Sequence, residues 1–556
     1  MTIDVYTEKA QYLINESVSL NIDFINCYKP NVECEISVFE LNQKIRVIKA
    51  TLHDEKNIID IGKYEAGLKG YGVFAACVDQ DGSILHASTA FDMENKPQDS
   101  IRYGFLSDFT KEDGTSDYDI ENLKKYHINY LQYYDWSYRH DHLVSPDEEY
   151  IDMMGKKICK ETIRHKIKLG EKYGMYSLGY GAVYAASKEF YEHHKDWAFY
   201  NSAGEVVKFI DIFYIMNISS TSQWHHYIIS QYQKAVSDMG FSGIHMDTYG
   251  FPKTAYSMLH DKRELVLLEQ EFPGLITDTY AKIKEEVKEP VLIFNNVGNW
   301  PVTTVADTEQ AAIYIEVWKP YEKYYHIKQI IRDAKKANKR NKPIILAAYL
   351  APFRMEDDIK AGYGAYILTA AIASNGAYHL LLGEEDAVLT QGYYSDYSKL
   401  NSNQAQILRK YYDFIIQYMA LMYAPDCVDV TMTHMGGDNY EYQCLFDNWN
   451  VDGNADKIWV TITESRKYQC IYLVNLCGCQ DDYWNKGKEC PEIQYKKSFR
   501  VHIDGEIAGV FVASPDADLG MSIEITYQEF VNDKGKFIEF TVDKIEIWSL
   551  IYIERK

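Results

Sequence analysis

Phe241-Ser242-Gly243-Ile244-His245-Met246-Asp247, followed by Thr248-Tyr249-Gly250, is a short apolar run that ends on a carboxylate where the chain turns. It reads as a buried strand, and the amphipathic stretch 222–239 just before it reads as a helix. The same alternation extends in both directions. Strand-like runs lie at 103–109, 130–136, 176–184, 243–247, 291–296, 312–318, 344–350 and 377–382. Helical candidates fall between them at 156–173, 222–239, 319–338 and 357–374, and a last one at 403–422 follows the eighth strand. Eight βα repeats over 98–424 predict a (β/α)8 TIM barrel with some long loops.

Outside these limits the period changes. Residues 1–97 carry short alternating runs such as Ser17-Val18-Ser19-Leu20-Asn21-Ile22-Asp23-Phe24 and Glu35-Ile36-Ser37-Val38-Phe39-Glu40, divided by Asn, Asp and Gly turns. That pattern and length predict an N-terminal immunoglobulin-like β-sandwich, with Glu94-Asn95-Lys96-Pro97 as linker. Beyond Pro425 the β pattern returns in Lys457-Ile458-Trp459-Val460-Thr461-Ile462-Thr463 and 469–476, and closes with 537–542 and 545–552. A C-terminal β-sandwich over 425–556 is expected.

Lys+Arg number 58 against 81 Asp+Glu, a formal net charge of −23 over 556 residues. Such a balance argues against nucleic acid, an anionic membrane or a polyanionic substrate, and favours a neutral one. No run approaches 18 apolar residues, so no membrane-spanning helix is expected. The 48 Tyr include the cluster Tyr130, Tyr133, Tyr134 and Tyr138, which suits either amphipathic packing or stacking on sugar rings; composition alone favours packing. The ten cysteines, at 27, 34, 77, 159, 427, 444, 470, 477, 479 and 490, form no C-x-x-C or zinc spacing, so neither metal nor other cofactor is expected. Cys477-Gly478-Cys479, the only tight pair, reads as chance surface placement. Unpatterned thiols, and the absence of a basic segment followed by an apolar run from Met1 to Lys9, lead to an expectation of a cytoplasmic protein, or of a secreted one whose leader has been removed.

In a barrel of this kind the chemistry gathers at the C-terminal ends of the strands. Those ends carry Ser107-Asp108, Tyr134-Asp135-Trp136, Gly179-Tyr180-Gly181, His245-Met246-Asp247, Asn295-Asn296, Glu316-Val317-Trp318, Ala348-Tyr349 and His379. Four carboxylates, two indoles and no Lys or Arg suit a polyhydroxylated neutral ligand and glycosidic chemistry, which needs two carboxyls in different environments. Asp247 and Glu316 are the expected pair. Glu316, within Ala312-Ile313-Tyr314-Ile315-Glu316-Val317-Trp318, is expected to be desolvated and to hold its proton as the acid, while the nucleophile stays ionised. A helix cap or a simple ion pair would explain one such carboxylate; two at strand ends of one barrel favour catalysis. Substrate contacts are expected from Asp135, Trp136, His140, Tyr180, Asn296, Trp318, Tyr349 and His379. For Trp136 the alternative is a structural indole, for Arg139 a surface ion pair, and for His379 a satisfied core histidine. His245, two positions before Asp247, faces the same side one layer deeper and reads as a packed interior histidine.

Together these segments resemble glycoside hydrolase family 66, the dextranases and cycloisomaltooligosaccharide glucanotransferases. The resemblance is carried by Arg102-Tyr103-Gly104-Phe105-Leu106-Ser107-Asp108-Phe109, 125–136, Tyr138-Arg139-His140, Gly181-Ala182-Val183-Tyr184-Ala185-Ala186, 240–247, Tyr314-Ile315-Glu316-Val317-Trp318, 374–380 and Gly383-Glu384. It covers the barrel; the flanking β regions agree only in architecture. It implies a retaining endo-hydrolase of α-1,6-glucosidic linkages in dextran or isomaltooligosaccharides, working through a covalent glycosyl-enzyme intermediate. The nucleophile would fall on Asp247, the acid/base on Glu316, and sugar-binding groups on Asp135, Trp136 and His140. No inserted carbohydrate-binding module interrupts the barrel, which favours plain hydrolysis. Family members are mostly secreted, so a chain without a leader signal would act on imported oligosaccharides or have had its leader removed. The alternatives are a glucanotransferase forming cyclic or extended isomaltooligosaccharides and a non-catalytic glucan-binding protein.

Overall fold

A computed structural model describes residues 2–26, 30–78 and 82–556, with the side chain of Asp518 excepted; Cys27 lies outside the described residues. At its centre eight parallel strands pair in sequence order. They are β1 (Tyr103–Leu106), β2 (Tyr130–Tyr133), β3 (Tyr176–Ala182), β4 (Gly243–Asp247), β5 (Val291–Val297), β6 (Ala312–Glu316), β7 (Ile344–Ala347) and β8 (Tyr378–Leu380). A parallel bridge from Phe105 to Gly383, with the Phe105 N–H donating to Leu382 O at 3.2 Å, brings the first strand to the eighth and nearly closes the barrel.

Each strand is followed by helix: α1 (Tyr118–Lys124), α2 (Lys160–Lys172), α3 (Gln223–Met239), α4 (Leu268–Ile283), the single turn α5 (Val302–Val305), α6 (Tyr324–Ala337), α7 (Asp358–Ser374) and α8 (Ser402–Gln417). Ile244, Met246, Leu292, Phe294, Ile313 and Ile315 are all fully buried, as strands covered on both faces must be. The α3–β4 connection shows how the sequence sets this up. The Ser222 side chain caps α3 by accepting from Trp224 N, and Gly240, at φ 89°, ends it in the left-handed region. A residue without Cβ adopts that conformation without strain, so the chain reverses within two residues into β4.

Several strands end earlier than their apolar runs predict. β2 stops at Tyr133, not 136, because Asp135 takes a left-handed φ of 49° and turns the chain out of the ladder.

The chain before the barrel forms a three-stranded sheet (Thr2–Thr7, Val18–Ile25, Lys56–Gly62) and a five-stranded sheet (Tyr12–Leu13, Val32–Glu40, Gln43–Leu52, Lys69–Val78, Ile84–Glu94). Val5, Leu20, Ile22, Ile36, Val38, Val73 and Phe91, from both sheets, share one apolar core. Arg102, 2% exposed, ties this unit to the barrel: its guanidinium bonds Asp92, Ser100 Oγ and Ala10 O. Beyond the barrel a seven-stranded sheet built around Ile458–Glu464, Tyr468–Asn475 and Trp548–Arg555 faces a four-stranded sheet built around Gln494–His502 and Gly535–Ile545. Their common core holds Val460, Leu473, Phe499, Val501, Phe540 and Ile551. Cys477 and Cys479 are both buried rather than on the surface, because each packs into a hydrophobic core, Cys477 that of the C-terminal sheets and Cys479 that of the barrel side. No helix among the described residues is long and apolar enough to cross a membrane.

Candidate active site

A cavity of about 560 Å³ opens at the C-terminal ends of the strands, lined among others by Tyr134, Asp135, His140, Tyr180, Asp247, Tyr249, Glu316, Trp318 and Tyr393. Residues on one side of a strand recur every second position. In β4 this turns Ile244 and Met246 toward the helices and His245 and Asp247 inward. His245 sits one layer below the cavity, its Nδ1 3.0 Å from Tyr103 OH and its ring edge-on to Tyr314.

Asp247 ends β4 and Glu316 ends β6, and one side chain between them, Asn295 of β5, reaches both. Asn295 Nδ2 donates to Asp247 Oδ1 at 2.7 Å and to Glu316 Oε2 at 3.0 Å. Two oxygens held by one nitrogen at those distances are no more than 5.7 Å apart. The other oxygens have separate donors: Tyr180 OH to Asp247 Oδ2 at 2.7 Å, and Tyr349 OH to Glu316 Oε1 at 2.6 Å.

Burial raises both carboxyls above the ordinary range, and the Glu316 charge raises Asp247 further. The sequence led to an expectation of a desolvated acid beside an ionised partner. Both carboxyls in fact share one buried mouth with no Lys or Arg among the residues lining it, so each resists a second negative charge. The hydrogen bonds from Tyr180, Asn295 and Tyr349 work the other way, favouring the ionised forms.

Of the expected substrate contacts, Asp135, His140, Tyr180 and Trp318 line the cavity. Asp135 is 7% exposed, has no hydrogen-bond partner among the described residues, and is lifted to about 7 by burial. Burial lowers His140 to about 4, leaving it neutral, and its ring lies flat on Phe213 at 4.5 Å. Trp318 is 43% exposed at the rim. Tyr349 acts one step back, on Glu316 itself.

Three expectations need correction. Trp136 is not at the cavity: it is fully buried beneath β3, its Nε1 donating to Tyr180 O at 3.1 Å and its ring packed on Phe241 at 4.8 Å. The left-handed turn at Asp135 puts Tyr134 and Asp135 in the cleft and sends the next side chain under the neighbouring strand. Asn296 points away from the cavity, its Nδ2 donating to Tyr314 O at 2.8 Å; alternation along β5 gives the cleft to Asn295. His379 is a satisfied core histidine, with Nδ1 3.1 Å from Thr369 Oγ1 and Nε2 3.1 Å from Ala348 O. Asn295 stands in the strand-end set but not among the expected contacts, although its inward position in the Asn-Asn pair follows from buried, outward-facing Phe294. Tyr134, in the strand-end set but not among the expected contacts, stacks at 4.4 Å on Tyr394, which the sequence does not mark because it lies on the loop after β8 with no periodic signal.

Comparison with known proteins extends this picture over the whole chain. A cycloisomaltooligosaccharide glucanotransferase of Niallia circulans is 21% identical over 703 aligned positions, covering 99% of this chain and 72% of that protein. A dextranase of Streptococcus salivarius is 21% identical over 60% of this chain and 46% of its own length. Among solved structures, a Paenibacillus sp. cycloisomaltooligosaccharide glucanotransferase complexed with cycloisomaltoheptaose superimposes with a TM-score of 0.88 over 99% of both chains at 19% identity, a likeness of fold. The profile of glycosyl hydrolase family 66 matches residues 7–552, so the chain belongs to that family.

Proposed function

We propose that this glucan-acting enzyme is a retaining endo-hydrolase of α-1,6-glucosidic linkages in dextran or isomaltooligosaccharides, with Asp247 as nucleophile and Glu316 as acid/base. The observation that carries the reading is the shared Asn295 amide, which limits one carboxylate oxygen pair to 5.7 Å. Retaining enzymes hold their two carboxyls about 5–5.5 Å apart, whereas inverting ones leave about 6.5–9.5 Å for a water.

The steps follow from the contacts. Asp247, oriented by Tyr180 and Asn295, attacks the anomeric carbon while Glu316 gives its proton to the departing glycosidic oxygen. Glu316, now ionised, takes a proton from water; the water oxygen attacks the same carbon and Asp247 leaves as carboxylate. Bond formation to the anomeric carbon neutralises Asp247 as Glu316 gives up its proton, so the pair carries one negative charge before and after the step and the two charges never coexist. Asp135, without a hydrogen-bond partner among the described residues, is suited to accept hydrogen bonds from sugar hydroxyls, and the rim indole of Trp318 to stack on a ring. The α-1,6 linkage is read from the dextranase and cycloisomaltooligosaccharide names of the relatives. In the same reading 98–424 is the catalytic barrel, 1–97 an immunoglobulin-like sandwich and 425–556 a second sandwich, a division supported by the paired sheets on either side.

A second reading has a sugar hydroxyl take the place of water, giving cyclic or extended products; the glucanotransferase relatives favour it. Chromatography of products from long dextran tests both. Linear isomaltooligosaccharides support hydrolysis, cyclic or lengthened products support transfer, and binding without turnover refutes both. A reducing-sugar screen across α-1,6, α-1,4, α-1,3 and β-linked glucans tests the linkage.

A further inference from the structure

Behind Glu316 three tyrosine hydroxyls stand in series. Tyr349 OH donates to Glu316 Oε1 at 2.6 Å, the Tyr394 hydroxyl lies 3.3 Å from that of Tyr349, and the Tyr314 hydroxyl lies 2.6 Å from that of Tyr394. All three rings are buried, at 4%, 3% and 1% exposure for Tyr349, Tyr394 and Tyr314. A tyrosine hydroxyl has one proton to give. With its proton committed to the carboxylate, the Tyr349 oxygen is left to accept. Tyr394 can meet that need only by donating to Tyr349, which leaves its own oxygen to accept from Tyr314. Tyr314 OH has no other hydrogen-bond partner among the described residues. The protons therefore all run toward Glu316, and in a water-poor interior each bond strengthens the next.

We propose that Tyr394 is a positioning residue for the acid/base carboxyl: it orders a one-way chain of hydroxyls, Tyr314 to Tyr394 to Tyr349, that ends on Glu316 Oε1. Its own placement is rigid. The ring stacks on Tyr134 at 4.4 Å and 15°, and meets Phe105 edge-on at 5.4 Å. It also belongs to the loop that supplies Gln391, Gly392 and Tyr393 to the cavity wall, so the segment that covers the cleft also holds the acid in place. The proposal rests on the reading of Glu316 as acid/base. Among the described residues, the groups that face Glu316 are Asp247 from β4, Asn295 from β5, Trp318 after β6, Tyr349 after β7, Tyr394 after β8 and, at longer range, Tyr314 of β6 and Tyr134 after β2. None is a cation, so donated hydrogen bonds are what stabilise its charge.

The test is the pH profile of kcat/KM for Tyr349→Phe, Tyr394→Phe and the double variant Tyr314→Phe/Tyr394→Phe, which leaves no buried hydroxyl unpaired. The limb on the basic side reports loss of the proton from the acid. Removing the direct donor in Tyr349→Phe should move that limb up by about one pH unit, the effect of a hydrogen bond to a charged group. Tyr394→Phe and the double variant should move it in the same direction by about 0.3 of a unit, the share expected from cooperative strengthening. An unmoved limb in both, with the wild-type limb intact, overturns the role of Tyr394. A parallel series on an aryl isomaltotrioside, whose leaving group needs no proton, separates this from the underlying reading. Loss of the basic limb there supports Glu316 as the acid, and its persistence in the wild type overturns that assignment and the proposal with it.

Discussion

Asn295→Ala isolates the feature on which the mechanism depends. Asn295 is 3% exposed and its Nδ2 bridges Asp247 and Glu316, while its Oδ1 is buried without a partner among the described residues, so truncation removes only the bridge. With oxygens no more than 5.7 Å apart, two full charges would repel by about 3 kcal/mol at an effective dielectric of about 20. The reactive state avoids this by carrying one proton, and the amide stabilises the one charge that remains. A hydrogen bond to a charged group contributes about 1.5–3 kcal/mol, and water entering the vacated space recovers part of it. A net loss of about 1.4 kcal/mol raises a carboxyl by about one pH unit. Since both carboxyls lose the same donor, the whole bell of kcat/KM against pH should shift upward by about one unit. At the wild-type optimum kcat/KM should fall about 10–100-fold. The assay is reducing-sugar release from dextran between pH 4 and 9, beside a melting curve to establish folding. A folded variant with an unmoved bell and kcat/KM within twofold of wild type would refute the bridging argument.

Other expectations follow from the same contacts. Asp247→Ala and Glu316→Gln should each lose several orders of magnitude in kcat on dextran with the fold intact, and only the Glu316 variant should recover on aryl substrates that need no proton to depart; equal losses there would contradict the roles. Trp136→Ala should cost about 3–5 kcal/mol of stability as an emptied core site, whereas Trp318→Ala should leave the melting temperature nearly unchanged and raise KM more than it lowers kcat; a reversed pattern would put the wrong indole at the substrate. Burial and the Glu316 charge raise Asp247 from an unfolded value near 3.8 to about 7, so between those values the folded carboxyl pair binds more protons than the unfolded chain and stability falls as pH rises; the reactive form is the one in which the shared proton rests on Glu316 and Asp247 is ionised. Asp247→Asn should therefore melt a few degrees above wild type at pH 8 and differ little at pH 4; equal melting at both pH values would show that the carboxyl is not desolvated.

The barrel was legible because its strands are continuous apolar runs set between amphipathic helices, and the two central carboxylates because β4 and β6 end on them. One error arose where backbone geometry departs from the strand. The apolar reading carried β2 through to residue 136, but a left-handed Asp135 breaks the alternation, which changes Trp136 from cleft wall to core. At β5 alternation holds, and the inward choice of Asn295 over Asn296 needed only the outward facing of Phe294. The tyrosine chain was not legible at all. Tyr314, Tyr349 and Tyr394 come from β6, the turn after β7 and the loop after β8, and only the closed barrel brings their hydroxyls together.

The central claim is that Asp247 forms the covalent glycosyl-enzyme and Glu316 governs its formation and breakdown. Mass spectrometry of the Glu316→Gln variant mixed with a dinitrophenyl isomaltotrioside tests it most directly. The leaving group departs without protonation, while the intermediate lacks the base that would activate water, so the ester should accumulate. The account predicts an isomaltotriosyl adduct on the peptide containing Asp247, absent when Asp247→Asn is added. An adduct on another residue, or none together with a first-formed product of inverted configuration, would contradict it.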